Sequence, residues 1–590
     1  MLSQISKRYR LKLTMQNFIN NRFFILFSNY VVITVVFLLT LPTMAQAPNP
    51  GGERNLDRFP QPGIIPEPLP PLDEPLLSPT PTPEALPTEP SESLRVEKIQ
   101  VTGSTVFTSE TLNTITNPVE GRSVTLAELR EVANAITQLY LDRGYITSRA
   151  ILVDQKIIDG VVEIRVIEGS IEKIEIEGTE RLNPEYVRSR VALGVGTPLD
   201  TAKLEDQLRL VQTDPLLSNL EASLRPGSGT GQSILMLRAK EAEAFSAVFS
   251  VDNYSPPSIG SERLGVSATY RNLTGIGDEI TASYYRTLQG GSNLYDLNYR
   301  VPLNAMNGAL QLRTSINNNR IIQGNDNVSN LDISGESQLY EISYRQPLIR
   351  SLREEFALSL AFTAQNGQTF TFAGPTPFGL GPDDQGNSRT RVIKFGQDYV
   401  RRDVQGAWAL RSLFSLGVGV FDATINASPL PDGRFFSWFG QIQRVQRLSP
   451  NNLLIAQAEI QLTPNPLLPS QQFVVGGGQS VRGYRQNARS ADNGVRFFVE
   501  DRITVQRDAT GNSTLQIAPF FDLAYVWNAD DNPNLLQRQN FLAGLGMGIL
   551  YQPLKDLNIR LDYALPLINL DDRGSNAQDD GFYFSVSYRL

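Results

Sequence analysis

The chain has 590 residues, with 53 Lys and Arg against 61 Asp and Glu, and contains no Cys and no His. That excludes thiolate nucleophiles, disulfides, Cys or His zinc sites and every His-dependent triad, while the net charge of −8 excludes the broad basic surface of a nucleic-acid binder. A mean hydropathy of −0.20 argues against a bundle of apolar membrane helices, and the length calls for several folded units.

The basic stretch holding Lys7, Arg8, Arg10, Lys12 and Arg22 precedes an apolar segment from Phe23 to Leu41, and Thr43-Met44-Ala45 supplies small residues for cleavage. Residues 1–45 therefore read as a secretory signal peptide. Between Gln46 and Ser93, 14 prolines fall in 48 residues, so 46–93 reads as an extended spacer that builds no core.

From Leu94 the pattern turns to strand, helix, strand, strand. Val96, Ile99 and Val101 precede Gly103. Thr125 then caps a run of Leu126, Leu129, Val132, Ala133, Ile136, Leu139 and Tyr140 at helical spacing, with Glu128 completing a capping box. Two strands follow, Ala150 to Val153 and Val161 to Val166, with Asp159-Gly160 as the hairpin signal between them. The order repeats: Ile171, Ile174 and Ile176 alternate, a helix capped at Asp200 carries Leu204, Leu208 and Val211, and strands follow at Leu220 to Leu224 and Ser233 to Arg238. Two tandem α+β modules, 94–168 and 169–241, are expected, each presenting a sheet edge that can add an extended chain as a further strand.

Residues 242–590 alternate at period two. Phe541, Ala543, Leu545, Met547, Ile549 and Tyr551 share one strand face, with Gly544, Gly546 and Gly548 on the other. Leu557, Ile559, Leu561, Tyr563 and Leu565 alternate with Asn558, Arg560, Asp562 and Ala564. Strands of about ten residues with one apolar and one polar face suit a transmembrane antiparallel β-barrel, lipid outside and a wet lumen within, and about sixteen strands are expected. Closure satisfies the edge amides that hydrocarbon cannot. Tyr270, Tyr284, Tyr299, Tyr344, Tyr563 and Tyr588 stand near expected strand ends, where an interfacial girdle belongs. Polar stretches at 317–335, 374–387 and 529–537 read as long loops on one rim.

One segment breaks the pattern: Phe473-Val474-Val475-Gly476-Gly477-Gly478-Gln479-Ser480-Val481-Arg482-Gly483-Tyr484. It is not a phosphate loop, since no GK[ST] follows and no helix opens after it. The paired aspartates at 383–384, 530–531, 571–572 and 579–580 read as solvated loops, not metal sites, and no Gly-x-Ser-x-Gly elbow or carboxylate pair suggests an enzyme.

The modules resemble polypeptide-transport-associated (POTRA) repeats: Leu141-Asp142-Arg143-Gly144-Tyr145-Ile146-Thr147-Ser148-Arg149-Ala150 looks like the first repeat of the two-partner secretion transporters, and Leu224-Arg225-Pro226-Gly227 with Ser233 to Leu237 like the end of the second. Val481-Arg482-Gly483-Tyr484 resembles the tip of the long sixth loop of the superfamily of two-partner transporters and outer-membrane assembly factors, placed before the last five strands. Phe520 to Ala524 is similar to that superfamily's Phe-x-Asp-x-Gly motif, with Ala524 in place of Gly. The run Phe582 to Leu590 resembles the terminal signal read by the outer-membrane assembly machinery, which more often ends in Phe.

The resemblance to two-partner secretion transporters of the haemolysin secretion/activation type implies a location in the outer membrane with POTRA domains in the periplasm, without cofactor or metal. It implies a loop whose Arg482 meets Asp522, or Glu500, on the inner barrel wall. It implies a secreted partner protein of the large β-helical adhesin or haemolysin-like kind, contact with outer-membrane lipid, and insertion by the barrel assembly machinery. The proline-rich stretch contains no convincing helix, so the pore-plugging helix frequent in the family is either short, within Gly52 to Phe59, or absent. A barrel-assembly factor, which usually carries three or more repeats, and a diffusion porin, which needs neither modules nor the Arg482 loop, are the alternatives.

Overall fold

The computed structural model describes residues 93–322 and 331–590. The expected signal peptide, linker and plug segment lie outside the described residues, apart from Ser93.

The first module runs β1 (Ser93–Val96), β2 (Lys98–Thr102), α1 (Ser109–Thr116), β3 (Arg122–Thr125), α2 (Leu126–Asp142), β4 (Arg149–Leu152) and β5 (Val161–Ile167). In its three-stranded sheet β5 is central, parallel to β2 and antiparallel to β4. Thr125 caps α2, its hydroxyl accepting from the Glu128 amide while the Glu128 carboxylate accepts from the Thr125 amide. The apolar stripe Leu129, Val132, Ala133, Ile136 and Tyr140 is buried against Ile99, Val162, Ile164 and Val166. Asp159 and Gly160 take the positive φ values that the β4–β5 turn requires.

The second module repeats this order with β6 (Ser170–Glu177), α3 (Pro184–Ala192), α4 (Thr201–Gln212), β7 (Leu217–Pro226) and β8 (Gln232–Glu241), and β8 is the central strand. Its separate core gathers Leu182, Val187, Val191, Leu204, Leu208, Leu235 and Leu237. Helices α1 and α3 are additions to the sequence reading. In α1 only Leu112 and Thr116 are buried, and α3 buries Arg190 beside Val187 and Val191, so neither shows a clean apolar stripe.

The remaining chain closes into one antiparallel barrel of sixteen long strands: β9 (Phe245–Asp252), β10 (Arg263–Arg271), β11 (Glu279–Thr287), β12 (Ser292–Pro302), β13 (Ala309–Arg320), β14 (Ser334–Arg350), β15 (Glu354–Thr371), β17 (Asn387–Asp403), β18 (Gly406–Gly417), β19 (Phe436–Ser449), β20 (Asn452–Leu462), β23 (Asn493–Arg507), β24 (Ser513–Trp527), β25 (Phe541–Leu554), β26 (Leu557–Pro566) and β27 (Phe582–Arg589). The two-residue β16 (Gly374–Pro375) pairs with the end of β15, and β27 pairs back onto β9 to close the cylinder. Outward positions such as Leu297, Leu312, Tyr340, Ile342 and Met547 are exposed apolar residues, while their neighbours turn Ser, Thr, Asn and ion pairs inward.

One rim carries turns as short as 404–405, 450–451 and 555–556; the other carries 418–435, 463–492, 528–540 and 567–581. The expected loop at 317–335 is shorter than its polarity suggests. β13 continues to Arg320 and β14 begins at Ser334. Asn317 and Asn319 pair with Ser337 and Gly335 on the lumen face, where polar side chains are the rule.

The second module sits on the short-turn rim. The Asn183 amide donates to Gly275 O (2.9 Å) and Arg181 Nη1 to Tyr270 Oη (3.1 Å). Beneath this contact the Glu241 carboxylate accepts from the amides of Glu180, Arg181 and Leu182 at 2.7–2.8 Å. The Gly144 carbonyl of the first module's Leu141 to Ala150 stretch accepts from both Thr201 N (3.1 Å) and Thr201 Oγ1 (2.7 Å), which joins the two modules.

Candidate functional site: an arginine loop folded into the lumen

The loop between β20 and β23 follows the eleventh long strand and precedes the last five. Its two legs pair as β21 (Phe473–Val475) and β22 (Arg489–Ala491), and its tip carries Val481, Arg482, Gly483 and Tyr484, all buried. Positive φ at Gly476, Gly477 and Gly483 turns the chain where a side chain would be strained.

Arg482 reaches the inner wall. Its Nε and Nη2 donate to Asp522 Oδ2 (2.7 Å) and Oδ1 (2.8 Å), a bidentate pair, and its own amide donates to Asp522 Oδ2 (3.0 Å). Nη1 donates to Glu500 Oε2 (2.7 Å), and Asp562 stands 3.9 Å away. The guanidinium carbon lies 3.2 Å from the centre of the Phe520 ring, so the cation that has lost water gains an aromatic face. Arg502 and Arg560 also hold Glu500 (2.8 and 2.7 Å), and Arg560 holds Asp562 (2.7 Å). Arg482 from the loop, Arg502 and Arg560 thus balance three carboxylates carried by β23, β24 and β26.

Sequence reasoning named Val481, Arg482, Gly483, Tyr484, Asp522 and Glu500, and the structure brings all six to one place, with both carboxylates on Arg482. Ala524, which stands where the resembled motif has Gly, is buried in the same cluster as Val481 and Tyr484. Sequence reasoning missed Arg502, Arg560, Asp562, Phe520 and Tyr583. Arg560 and Asp562 were visible as the polar face of β26, but an alternating strand does not disclose which lumen residues meet. Tyr583 Oη accepts from Gly483 N (2.9 Å) and donates to Tyr484 O (2.6 Å), gripping the tip from β27. The Tyr484 hydroxyl donates to Ala543 O (2.8 Å) and accepts from Ile568 N (3.2 Å).

The glycine face of β25 makes this approach possible. A Cβ on Gly544 would lie 1.9 Å from the Arg482 carbonyl oxygen, a backbone atom that cannot swing aside. On the far side of the tip, Arg496 donates to Gln479 O (2.9 Å) and pairs with Glu459 (2.8 Å), both side chains buried. Toward the long-loop rim, Arg485 pairs with Asp579 and Arg489 with Asp572, both at 2.8 Å. No group of carboxylates suited to a metal ion occurs among the described residues. Chemically the arrangement holds a loop in the lumen by buried, charge-balanced bonds.

Comparison with known proteins agrees with this architecture. The family model for haemolysin secretion/activation protein ShlB/FhaC/HecB matches residues 231–551, and that for the ShlB-type POTRA domain matches 94–169. The heme/hemopexin transporter protein HuxB of Haemophilus influenzae strain 86-028NP is 25% identical over 500 residues, covering 82% of this chain and 84% of its own. The outer membrane transporter CdiB of Escherichia coli is 24% identical over 427 residues, 70% of each chain. The solved structure of CdiB from Escherichia coli superposes with a TM-score of 0.66 at 21% identity, covering 88% of this chain and 94% of that one, which establishes the shared fold.

Proposed function

Because the chain belongs to the haemolysin secretion/activation protein family ShlB/FhaC/HecB, we propose that it exports a partner protein from the periplasm to the cell surface through the barrel, with the Arg482 loop as the gate of the pore. The barrel stands in the outer membrane and the POTRA region, 94–168 and 169–241 taken as two domains, in the periplasm. The observation that carries the gating reading is the tip of a long loop buried on Asp522 and Glu500 inside a closed barrel. A structural strut needs no such costly desolvation, whereas a gate needs a bonded state that can be exchanged for an open one.

No nucleotide-binding motif supplies energy. The modules' open sheet edges hold an extended segment of the partner by strand addition, the lumen passes it, and folding outside biases its motion outward. A large β-helical partner suits this scheme, since each coil that folds at the surface draws out the next. Insertion of the barrel itself falls to the assembly machinery acting on β27. The match to the haemolysin secretion/activation family favours export over barrel assembly.

The test is to delete the gene in its own host and compare surface and culture-medium proteins with the parent by mass spectrometry. One or a few proteins should vanish and return on complementation. An unchanged set of exported proteins, or a general loss of outer-membrane barrels, contradicts export of a dedicated partner.

A further inference from the structure

The barrel's seam is unlike its other joints. β27 pairs with β9 from Ser585 opposite Asp252 to Arg589 opposite Val248, the shortest ladder among the sixteen long strands, and Leu590 and Ala247 exchange backbone bonds past its end (2.8 and 3.2 Å). Beyond Asp252 the seam continues at Asn253, whose amide donates to Phe584 O (3.3 Å) while its carboxamide accepts from Phe584 N (2.9 Å) and donates to Phe582 O (2.9 Å), so that a side chain reinforces the last backbone bond.

A second carboxamide sits directly on this clasp. Gln578, wholly buried in the loop before β27, donates from Nε2 to the carbonyls of Asn253 and Ser255 (2.8 Å to Ser255), and its Oε1 accepts from Gln486 N (2.8 Å). Gln486 lies two residues beyond Tyr484, on the return leg of the arginine loop. Gln578 therefore holds the gate loop with one end and the first strand's exit with the other. The two contacts together fix the orientation of one carboxamide, so loss of the Gln486 contact frees its Oε1 to turn toward other donors and weakens the hold of Nε2 on the strand.

Resting on the reading of the Arg482 loop as the gate, we propose that Gln578 is a positioning residue that couples withdrawal of that loop to parting of the β9–β27 seam at its long-loop end. When the loop leaves, Gln486 abandons Gln578, which then releases Asn253 and Ser255, and the shortest ladder of the barrel loses its clasp.

The full chain lacks Cys, so a designed disulfide has no competitor. Ser250 and Ser587 face each other across the seam, and directly opposed residues of an antiparallel pair lie within reach of a disulfide. Channel openings of the purified protein in planar bilayers would be compared for wild type, Gln578→Leu and Gln578→Glu, each with and without the Ser250→Cys/Ser587→Cys pair, oxidised and reduced. Losing the buried hydrogen bonds should raise the opening frequency of Gln578→Leu about tenfold. The oxidised seam should return it to the wild-type frequency, and reduction should bring the rise back. Gln578→Glu keeps the acceptor for Gln486 but loses the donor to the strand, and should give a smaller rise that the locked seam also cancels. This variant carries the test should Gln578→Leu fail to insert.

Wild-type opening in both variants, or a rise that persists with the seam locked, overturns the coupling, even if thermal stability falls. The assay needs no partner protein, so its failure is separate from a failure of export, which the host comparison reads.

Discussion

At Arg482 the guanidinium has exchanged water for Asp522, Glu500 and the Phe520 ring. Removing one member of a buried pair typically costs about 3–5 kcal/mol, because the partner remains charged and dry. Lys in place of Arg keeps the charge but cannot span both oxygens of Asp522 while reaching Glu500, so Arg482→Lys should fall between wild type and Arg482→Ala in opening frequency in planar bilayers. Gly544 gives an independent handle. Alanine there collides with the Arg482 carbonyl, and a misfit of this kind costs about 1–3 kcal/mol. Gly544→Ala should leave every charge in place yet displace the loop tip, giving more channel openings and faster protease cleavage near residue 480. An unchanged loop would mean that the glycine face is not what admits it. The motif itself was legible, since a glycine-rich run ending in Arg-Gly-Tyr has no reason to interrupt alternating strands. Its full partner set was not, because Arg502, Arg560 and Tyr583 reach it from three different strands.

Among the elements, the segment that meets the barrel through Arg181 and Asn183 is held within the second module by Glu241. Burial opposes ionisation of this carboxylate, but the amides of Leu182, Arg181 and Glu180 outweigh it and hold its pKa below the ordinary carboxylate value. A lowered folded-state pKa gives a stabilisation fully present above the unfolded value of about 4.3 and lost as pH falls through the folded one. Hydrogen exchange of the 180–182 amides in the full chain, taken relative to the unstructured rate at each pH, should therefore quicken below about pH 4. Glu241→Gln should quicken it at neutral pH and flatten the pH dependence; identical profiles would show that Glu241 does not hold this segment. This contact joins residues about 60 apart in the chain, and nothing in the local pattern of Lys240-Glu241-Ala242 announces it. By contrast the α2 cap, its apolar stripe and the Asp159-Gly160 turn are local, and each was legible from residue spacing. Helix α3 was not, because burial of Arg190 over the Tyr186 ring at 3.4 Å places a charged residue on the inward face.

For the whole molecule, the period-two pattern carried the barrel because the two faces of each strand meet opposite solvents. Ile342 faces outward and Ser343 inward on the same strand. Ile342→Arg should reduce the stability of the inserted barrel by about 2–4 kcal/mol, while Ser343→Arg should cost far less, as read by urea titration in lipid vesicles. Equal effects would contradict the assignment of faces. The loop lengths of the two rims were only partly legible, because polar residues mark the lumen wall as well as the loops, as Asn317 and Asn319 demonstrate.

The central claim is that a partner leaves through this barrel under control of the Arg482 loop. The most direct measurement is the amount of the host's dependent exported proteins in strains carrying wild type, Arg482→Ala or Asp522→Ala at matched outer-membrane levels of folded barrel. The account predicts a sharp fall in export in both variants with the barrel still inserted. Undiminished export in both would contradict it.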